Sequence, residues 1–289
     1  MPLDDDVMCH DAAWFDLQYD NRRRVPEYAQ HFARWREASA EALAGLQGHL
    51  DIPFTPDGSV SLDYFPAPRA DAPVLVFIHG GYWRSLDKAD HSFVAAPFVA
   101  AGAAVVVPNY SLCPAVTIDT IALQMAQAMA WVHRHAARFG GNAARIVVAG
   151  HSAGGHLAAM LLACDGKRLS RELPARLVRR AVSISGLYDL APLAAAPVLQ
   201  VDLRLTPDVI ERASPARFTP PRGAKLATVV GALESDEFLR HNRLIRERWG
   251  EEAVPVCDEL PGLDHFTVLG ALVDPQSALH QHTLRWLFD

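Results

Sequence analysis

Between residues 146 and 163 the chain passes from an apolar β-branched run, Ile146 to Ala149, through Gly150-His151-Ser152-Ala153-Gly154-Gly155 into an alanine-rich helical stretch that continues through Leu157 to Ala163. A strand that gives way to a helix this quickly must turn sharply. Glycines flanking the turn remove the Cβ atoms that would collide with the neighbouring strand and helix. The apical residue, Ser152, is expected in a strained and exposed position, poised as a nucleophile. The same glycines have the first spacing of a phosphate-binding loop, but that loop needs Lys and then Ser or Thr after its second glycine. His156 and Leu157 stand there instead and exclude it.

The turn sits inside a longer alternation. Val74 to Ile78 is apolar throughout, as a strand covered on both faces would be, and Ala103 to Val107, Ala181 to Ile184 and Ala227 to Val230 read alike. Val254 to Leu260 is a weaker strand. Val60 to Phe65 alternates apolar and polar side chains, the pattern of a half-buried edge strand. Between these runs, Ile118 to Phe139 carries Ile121, Met125, Met129 and Val132 at helical spacing, and Pro275 to Phe288 reads as a closing helix with Pro275 in its first turn. Alternating strands and helices imply a mostly parallel sheet with helices on both faces, an α/β fold. Two regions lie outside the alternation. Residues 1–50 read as an N-terminal helical arm with Trp14, Phe15, Tyr28, Phe32 and Trp35 as its aromatics, and residues 187–222 as a cap-like insertion of short helices. The reading is one domain over residues 1–289.

A serine nucleophile needs an oxyanion site, a base and a carboxylate. His79-Gly80-Gly81-Tyr82-Trp83 follows the strand Val74 to Ile78. A Gly-Gly turn there can aim the amides of Gly80 and Gly81 at a developing oxyanion, joined by the amide of Ala153. Of 13 histidines, His265 is singled out by its place after the last strand and before the closing helix, at the carboxyl edge of the sheet. The strand Ala227 to Val230 ends near Glu234, Asp236 and Glu237. Glu234 comes first and is favoured to hold the imidazole, Asp236 requires a longer turn, and Asp189 is a distant third that fixes a loop. Tyr82, Trp83 and His151 are assigned to the substrate pocket, although Tyr82 and Trp83 equally suit core packing. A metal site is not expected: no H-E-x-x-H occurs, and His133/His135 and His280/His282 are spaced so that their side chains diverge and read as solvated.

Composition excludes other classes. With 50% hydrophobic and 21% charged residues the chain is not disordered, and a net charge of -6 argues against nucleic acid. The densest basic run, Arg22 to Arg24, reads as a solvated helix face. Cys9, Cys113, Cys164 and Cys257 show no paired spacing, Met1 to His10 lacks a signal-peptide pattern, and no apolar run is long enough to span a membrane. A cytoplasmic enzyme acting on a small molecule, with no cofactor and no membrane partner, is expected. The arm is expected either to cover the pocket or to mediate a homodimer.

His79 to Trp83, Gly140 to Val148, Gly150 to Gly155, Gly231 to Phe238 and Asp264-His265-Phe266 together resemble the α/β-hydrolase superfamily, over residues 60 to the end. Within it the match is to the kynurenine formamidase (arylformamidase) branch near the hormone-sensitive-lipase-like esterases. The arm around Tyr19 to Pro26 is similar to the N-terminal segment of bacterial members. The resemblance implies Ser152 as nucleophile, His265 as base, and Gly80, Gly81 and Ala153 as oxyanion donors. The family more often has Asp where Glu234 stands, which keeps Asp236 open. Tyr82-Trp83, in place of the third glycine of lipase-type loops, favours the formamidase branch. The expected activity is arylformamidase, with a general carboxylesterase as the alternative and a non-catalytic hydrolase-fold binding protein as a remote one.

Overall fold

A computed structural model of the chain describes residues 9–289. Residues 1–8, which begin the expected arm and make up most of the Met1–His10 segment, lie outside the described residues. Among the described residues the strands are β1 (His49–Pro53), β2 (Ser61–Phe65), β3 (Ala72–Ile78), β4 (Ala104–Pro108), β5 (Gly141–His151), β6 (Arg180–Ile184), β7 (Lys225–Gly231) and β8 (Val256–Leu260). They form one sheet in the order β1-β2-β4-β3-β5-β6-β7-β8. β1 and β2, and β2 and β4, pair antiparallel; every other pair is parallel.

The apolar runs are continuous because the sheet is covered twice. Val74, Val76 and Ile78 of β3 face one buried cluster, while Leu75 and Phe77 face the other. The arm holds α1 (Ala12–Tyr19), α2 (Asn21–Arg24) and α3 (Tyr28–Gly45). Then come α4 (Ala95–Ala100), α5 (Ile118–His135), α6 (Ala153–Ala163) and α7 (Gly166–Leu169). The region between β6 and β7 holds α8 (Ala191–Ala194), α9 (Pro197–Leu203) and α10 (Pro207–Ala213), and α11 (Asp236–Ala253), α12 (Gly270–Val273) and α13 (Ala278–Phe288) close the chain. α5, α6 and α11 bury their apolar faces in the first cluster, and α4, α13 and Trp35 of α3 pack in the second.

Four details differ from the sequence reading. β2 is neither an edge nor half-buried: β1 flanks it, and four of its five residues are buried. The polar member of its alternation, Asp63, is buried because the Lys88 ammonium pairs with it at 2.7 Å. β1 leaves no apolar pattern in the sequence because its residues are mostly exposed. Pro275 lies outside α13, which starts at Ala278 because the Ser277 side chain caps it by accepting from the His280 N–H. His280 is buried, with Nδ1–H donated to the Leu272 carbonyl at 2.8 Å and its ring against Phe98, so it is not solvated. His133, His135 and His282 are half-buried on their helices, where His135 packs on Trp131 and His282 on Trp286.

The register aligns the carboxyl ends of the central strands. Ile78 pairs with Gly150, His151 with Ile184, Ile184 with Val229, and Gly231 with Leu260. The loops leaving β3, β5, β6, β7 and β8 therefore emerge along one edge. At that edge α6 starts directly against the end of β3: a Cβ on Gly154 would lie 2.0 Å from the Ile78 carbonyl oxygen and 2.6 Å from that of His79. Backbone cannot move aside as a flexible side chain can. Gly154→Ala should destabilise the fold by about 1–3 kcal/mol or more in urea unfolding; a loss below about 1 kcal/mol would contradict this packing.

Candidate active site

Ser152 occupies the turn between β5 and α6 with φ 56° and ψ −118°, a left-handed backbone that a serine adopts only when its surroundings impose it. The imposing contacts are the Ser152 N–H, donated to the Ile184 carbonyl at 2.7 Å, and the His156 N–H, donated back to the Ser152 carbonyl at 3.0 Å. The strained turn is as expected, but the exposure is not. Ser152 is 2% exposed, in a cavity lined by the N-terminal arm, the loop after β3, α9 and the His265 loop.

His265 stands on the loop after β8. Its Nδ1–H donates to Glu234 Oε2 at 2.6 Å. The other carboxylate oxygen, Oε1, accepts the Ser185 hydroxyl at 2.5 Å and the Gly231 N–H at 2.8 Å. A carboxylate with both oxygens occupied this way is fixed in direction, and with Nδ1 protonated the ring leaves Nε2 as its basic atom. The loop is tightened by Asp264, whose Oδ1 accepts the N–H groups of Phe266 and Thr267 at 2.8 and 2.9 Å. Burial opposes the charge on Asp264, but these bonds outweigh it and hold its carboxyl below the ordinary range. Asp236, the open alternative, is the exposed first residue of α11. Asp189 is buried against the Arg217 guanidinium and accepts the Ala191 N–H, away from His265.

The loop after β3 lies against the serine turn. A Cβ on Gly80 would come within 2.9 Å of the His151 carbonyl oxygen and 3.1 Å of Ser152 Cβ. Gly81, Tyr82 and Trp83 then take φ of 108°, 50° and 56°, three successive left-handed residues that only tertiary contacts sustain. Those contacts separate the two aromatics. The Tyr82 hydroxyl donates to the Tyr19 carbonyl at 2.8 Å, and Tyr82 lines the cavity over Ser152. Trp83 is fully buried in the core, edge-on to His156 at 4.9 Å, and does not border that cavity, which corrects its assignment to the pocket. Burying the larger ring in the core is what anchors the loop. The amide of Ala153 belongs to the first turn of α6, whose N–H groups have no intrahelical partner and carry the positive end of the helix dipole.

His151 borders the cavity and donates Nε2–H to the His265 carbonyl at 2.7 Å. Burial, reinforced by the neighbouring His265, pushes its pKa well below the ordinary histidine value. It stays neutral and ties the serine turn to the histidine loop.

The cavity is narrow, about 70 Å³, and it holds Ser152, His265 and His151 together. Phe32 and Trp35 of α3, with Tyr82 and Phe266, give it an aromatic wall, and Val198 and Leu199 of α9 close one side. Asn21 and Arg22 of the arm stand in its lining, the latter over the rings of Tyr28 and Phe32. Arg22, Arg23 and Arg24 are exposed, and Arg22 also has this cavity-facing role. Tyr19, Asn21, Arg22, Phe32 and Trp35 place the arm in the wall of this cavity. Sequence reasoning missed Ser185 and the pocket residues of the arm. Ser185 directly follows β6 at the same sheet edge as Ser152 and Glu234, and that position was the available signal.

With this geometry in view, the comparisons with known proteins bear on class. A family model described as BD-FAE matches residues 62–200. A kynurenine formamidase of Danio rerio is 28% identical over 286 residues, covering 94% of this chain and 95% of that protein. Carboxylesterase NlhH of Mycobacterium tuberculosis is 37% identical over 122 residues, 42% of this chain and 36% of that one. A crystal structure of a Silicibacter sp. protein superposes with a TM-score of 0.80 at 29% identity, covering 95% of this chain and 99% of that chain. Fold and comparisons define the chain as an α/β-hydrolase and an enzyme of the serine-hydrolase class. Its sequence is similar to the kynurenine formamidases and carboxylesterases built on that fold. Among the described residues no helix is long and apolar enough to cross a membrane.

Several buried histidines around this edge resist protonation. Burial lowers the pKa of His91 to about 3 and of His156 to about 4, and pushes His151 and His241 well below the ordinary value. Below pH ~6.5 the unfolded chain takes up protons that these four rings refuse, so each removes about 1.4 kcal/mol of stability per pH unit until its folded pKa is reached. Above that pH both states are neutral and the four contribute no slope. The urea midpoint should therefore be nearly level from pH 8 to 7 and fall steeply between about 6.5 and 5. A midpoint unchanged from pH 7 to 5 would contradict the neutral burial.

Proposed function

We propose that the protein is an arylformamidase, cleaving the N-formyl group from a small aryl amine of the N-formylkynurenine type through an acyl-enzyme. The observation that carries this reading is His265, held by Glu234 at 2.6 Å, lining one narrow, aromatic-walled cavity with Ser152 at a strand–helix turn. In the proposed cycle Ser152 Oγ attacks the formyl carbon and passes its proton to His265 Nε2. The oxyanion is met by the N–H groups of Gly80, Gly81 and Ala153, each worth about 3 kcal/mol to the transition state. Collapse expels the aryl amine, which takes the proton from His265. A water molecule then gives a proton to the same nitrogen and attacks the acyl carbon, and collapse breaks the bond to Ser152 Oγ, which takes that proton back from His265 as formate leaves. Glu234 keeps the imidazole in the required tautomer and stabilises the imidazolium at each stage. No step requires a cofactor.

The small cavity supports a small acyl group, and the aromatic wall supports a flat leaving group. The Danio rerio kynurenine formamidase, matched over nearly the whole chain, supports the same substrate class. Tyr82 and His151 are proposed as pocket residues. Free thiols at Cys113, Cys164 and Cys257 fit a cytoplasmic location.

A hydrolysis panel tests the substrate class. N-formylkynurenine and formanilide should be cleaved with kcat/KM at least about 100-fold above their N-acetyl counterparts. Cleavage of p-nitrophenyl esters with formamides ignored would overturn the formamidase reading in favour of a carboxylesterase. The carboxylate is tested separately. Glu234→Gln should lower kcat by about 10⁴-fold, and Asp236→Asn should stay within about threefold of wild type. A larger loss from the second substitution would reverse the assignment.

A further inference from the structure

Tyr110 lies two residues beyond β4 and is 3% exposed. Its hydroxyl lies 3.1 Å from the His79 carbonyl oxygen and 3.0 Å from the Gly80 carbonyl oxygen, and its one hydrogen is shared between them in a three-centre bond. In a trans peptide the carbonyl and the following N–H point in opposite directions within one rigid plane. The His79 carbonyl is therefore the back of the Gly80 N–H, and the Gly80 carbonyl is the back of the Gly81 N–H. One hydroxyl grips the rear of both peptides whose front faces are the proposed oxyanion donors. We propose that Tyr110 is a positioning residue of the oxyanion site, fixing the directions of the Gly80 and Gly81 N–H groups through the two carbonyls behind them. This inference rests on the serine-hydrolase reading of those amides.

The surroundings leave the hydroxyl little freedom. The Tyr110 ring stacks on the His79 imidazole with centroids 4.3 Å apart and planes 12° from parallel. Burial raises the phenol pKa, so it remains a donor at any working pH. The two peptides are not held equally. Gly80 O also accepts from His79 Nδ1–H at 2.8 Å, so that peptide keeps a second restraint when the hydroxyl is removed. The His79–Gly80 peptide loses this restraint outright. Removing the hydroxyl should then misalign chiefly the Gly80 donor and do so only partly. The loss should fall below the roughly 10²- to 10³-fold cost of deleting an oxyanion donor.

The test compares wild type, Tyr110→Phe and Ser152→Ala on formanilide and p-nitrophenyl acetate, with phenylboronic acid as a tetrahedral mimic. Tyr110→Phe should lower kcat by about 10- to 100-fold with KM within about threefold, and weaken phenylboronic acid by the same factor as kcat. A role in general packing would not couple boronate affinity to kcat. Wild-type kcat and boronate affinity in Tyr110→Phe would overturn the inference, as would a raised KM at unchanged kcat, or a lowered kcat with boronate binding intact. If Tyr110→Phe does not fold, 4-aminophenylalanine at position 110 supplies a donor on the same ring. A kcat within about tenfold of wild type then supports the inference, and a folded variant reduced more than about 100-fold contradicts it. Ser152→Ala separates the two levels. Activity surviving in that variant removes the serine reading and this inference together. An inactive Ser152→Ala beside a wild-type Tyr110→Phe removes only the inference.

Discussion

The start of α6 is pressed so closely onto the end of β3 that no side chain fits between Gly154 and the Ile78 carbonyl. Much of the site follows from that contact. It places the first amides of α6 beside the loop that leaves β3, so donors from two distant segments can converge on one point. It also forces the chain between β5 and α6 through a left-handed residue, which turns Ser152 toward that point. A site assembled on a sheet edge in this way is rigid before any substrate arrives, and rigidity of this kind lowers the reorganisation needed as charge develops. The strain at Ser152 persists because β6 and α6 hold the backbone on either side of it.

Around this contact the polar groups form closed relays. Glu234 uses both oxygens, His265 is held through Nδ1 and through its carbonyl, and His151 bridges the serine turn to the histidine loop. Each of these bonds matters because an orphaned donor or acceptor in low dielectric costs more than the bond it replaces. The arm extends the same logic outward. Tyr19 enters the core, where its hydroxyl donates to Glu237 at 2.5 Å, while its backbone carbonyl receives the Tyr82 hydroxyl. The arm is therefore fastened both to α11 and to the loop after β3. Phe32, Trp35 and Phe266 continue it as an aromatic layer beside His265.

The parts of this fold legible in the sequence are those where burial writes an unambiguous pattern. β3 and β4 are apolar on both faces, β6 and β7 nearly so, and the Ile121-Met125-Met129-Val132 stripe of α5 faces a single cluster. β1 was not legible because exposed His49 and Asp51 carry no periodicity, and β2 was misplaced because a buried ion pair made Asp63 look like a solvent-facing residue. At the site, chain order and position after strands single out Ser152 and His265 and favour Glu234 while leaving Asp236 open, and the structure brings Ser152, His265 and Glu234 to one edge. Composition and spacing could not separate Tyr82 from Trp83, since either aromatic ring suits a wall or a core, and only the loop's three-dimensional path decides. Nor could they reveal that Ser152 is covered, because the arm's contacts lie more than a hundred residues away in sequence.

The central claim is that Ser152 is an activated nucleophile, and active-site labelling addresses it without reference to any substrate. The folded protein would be treated with a fluorophosphonate, its intact mass measured and the modified peptide sequenced. The account predicts one phosphonyl group per chain, located on Ser152, and none on Ser152→Ala. Absence of labelling in folded protein, or labelling at another residue, would contradict it.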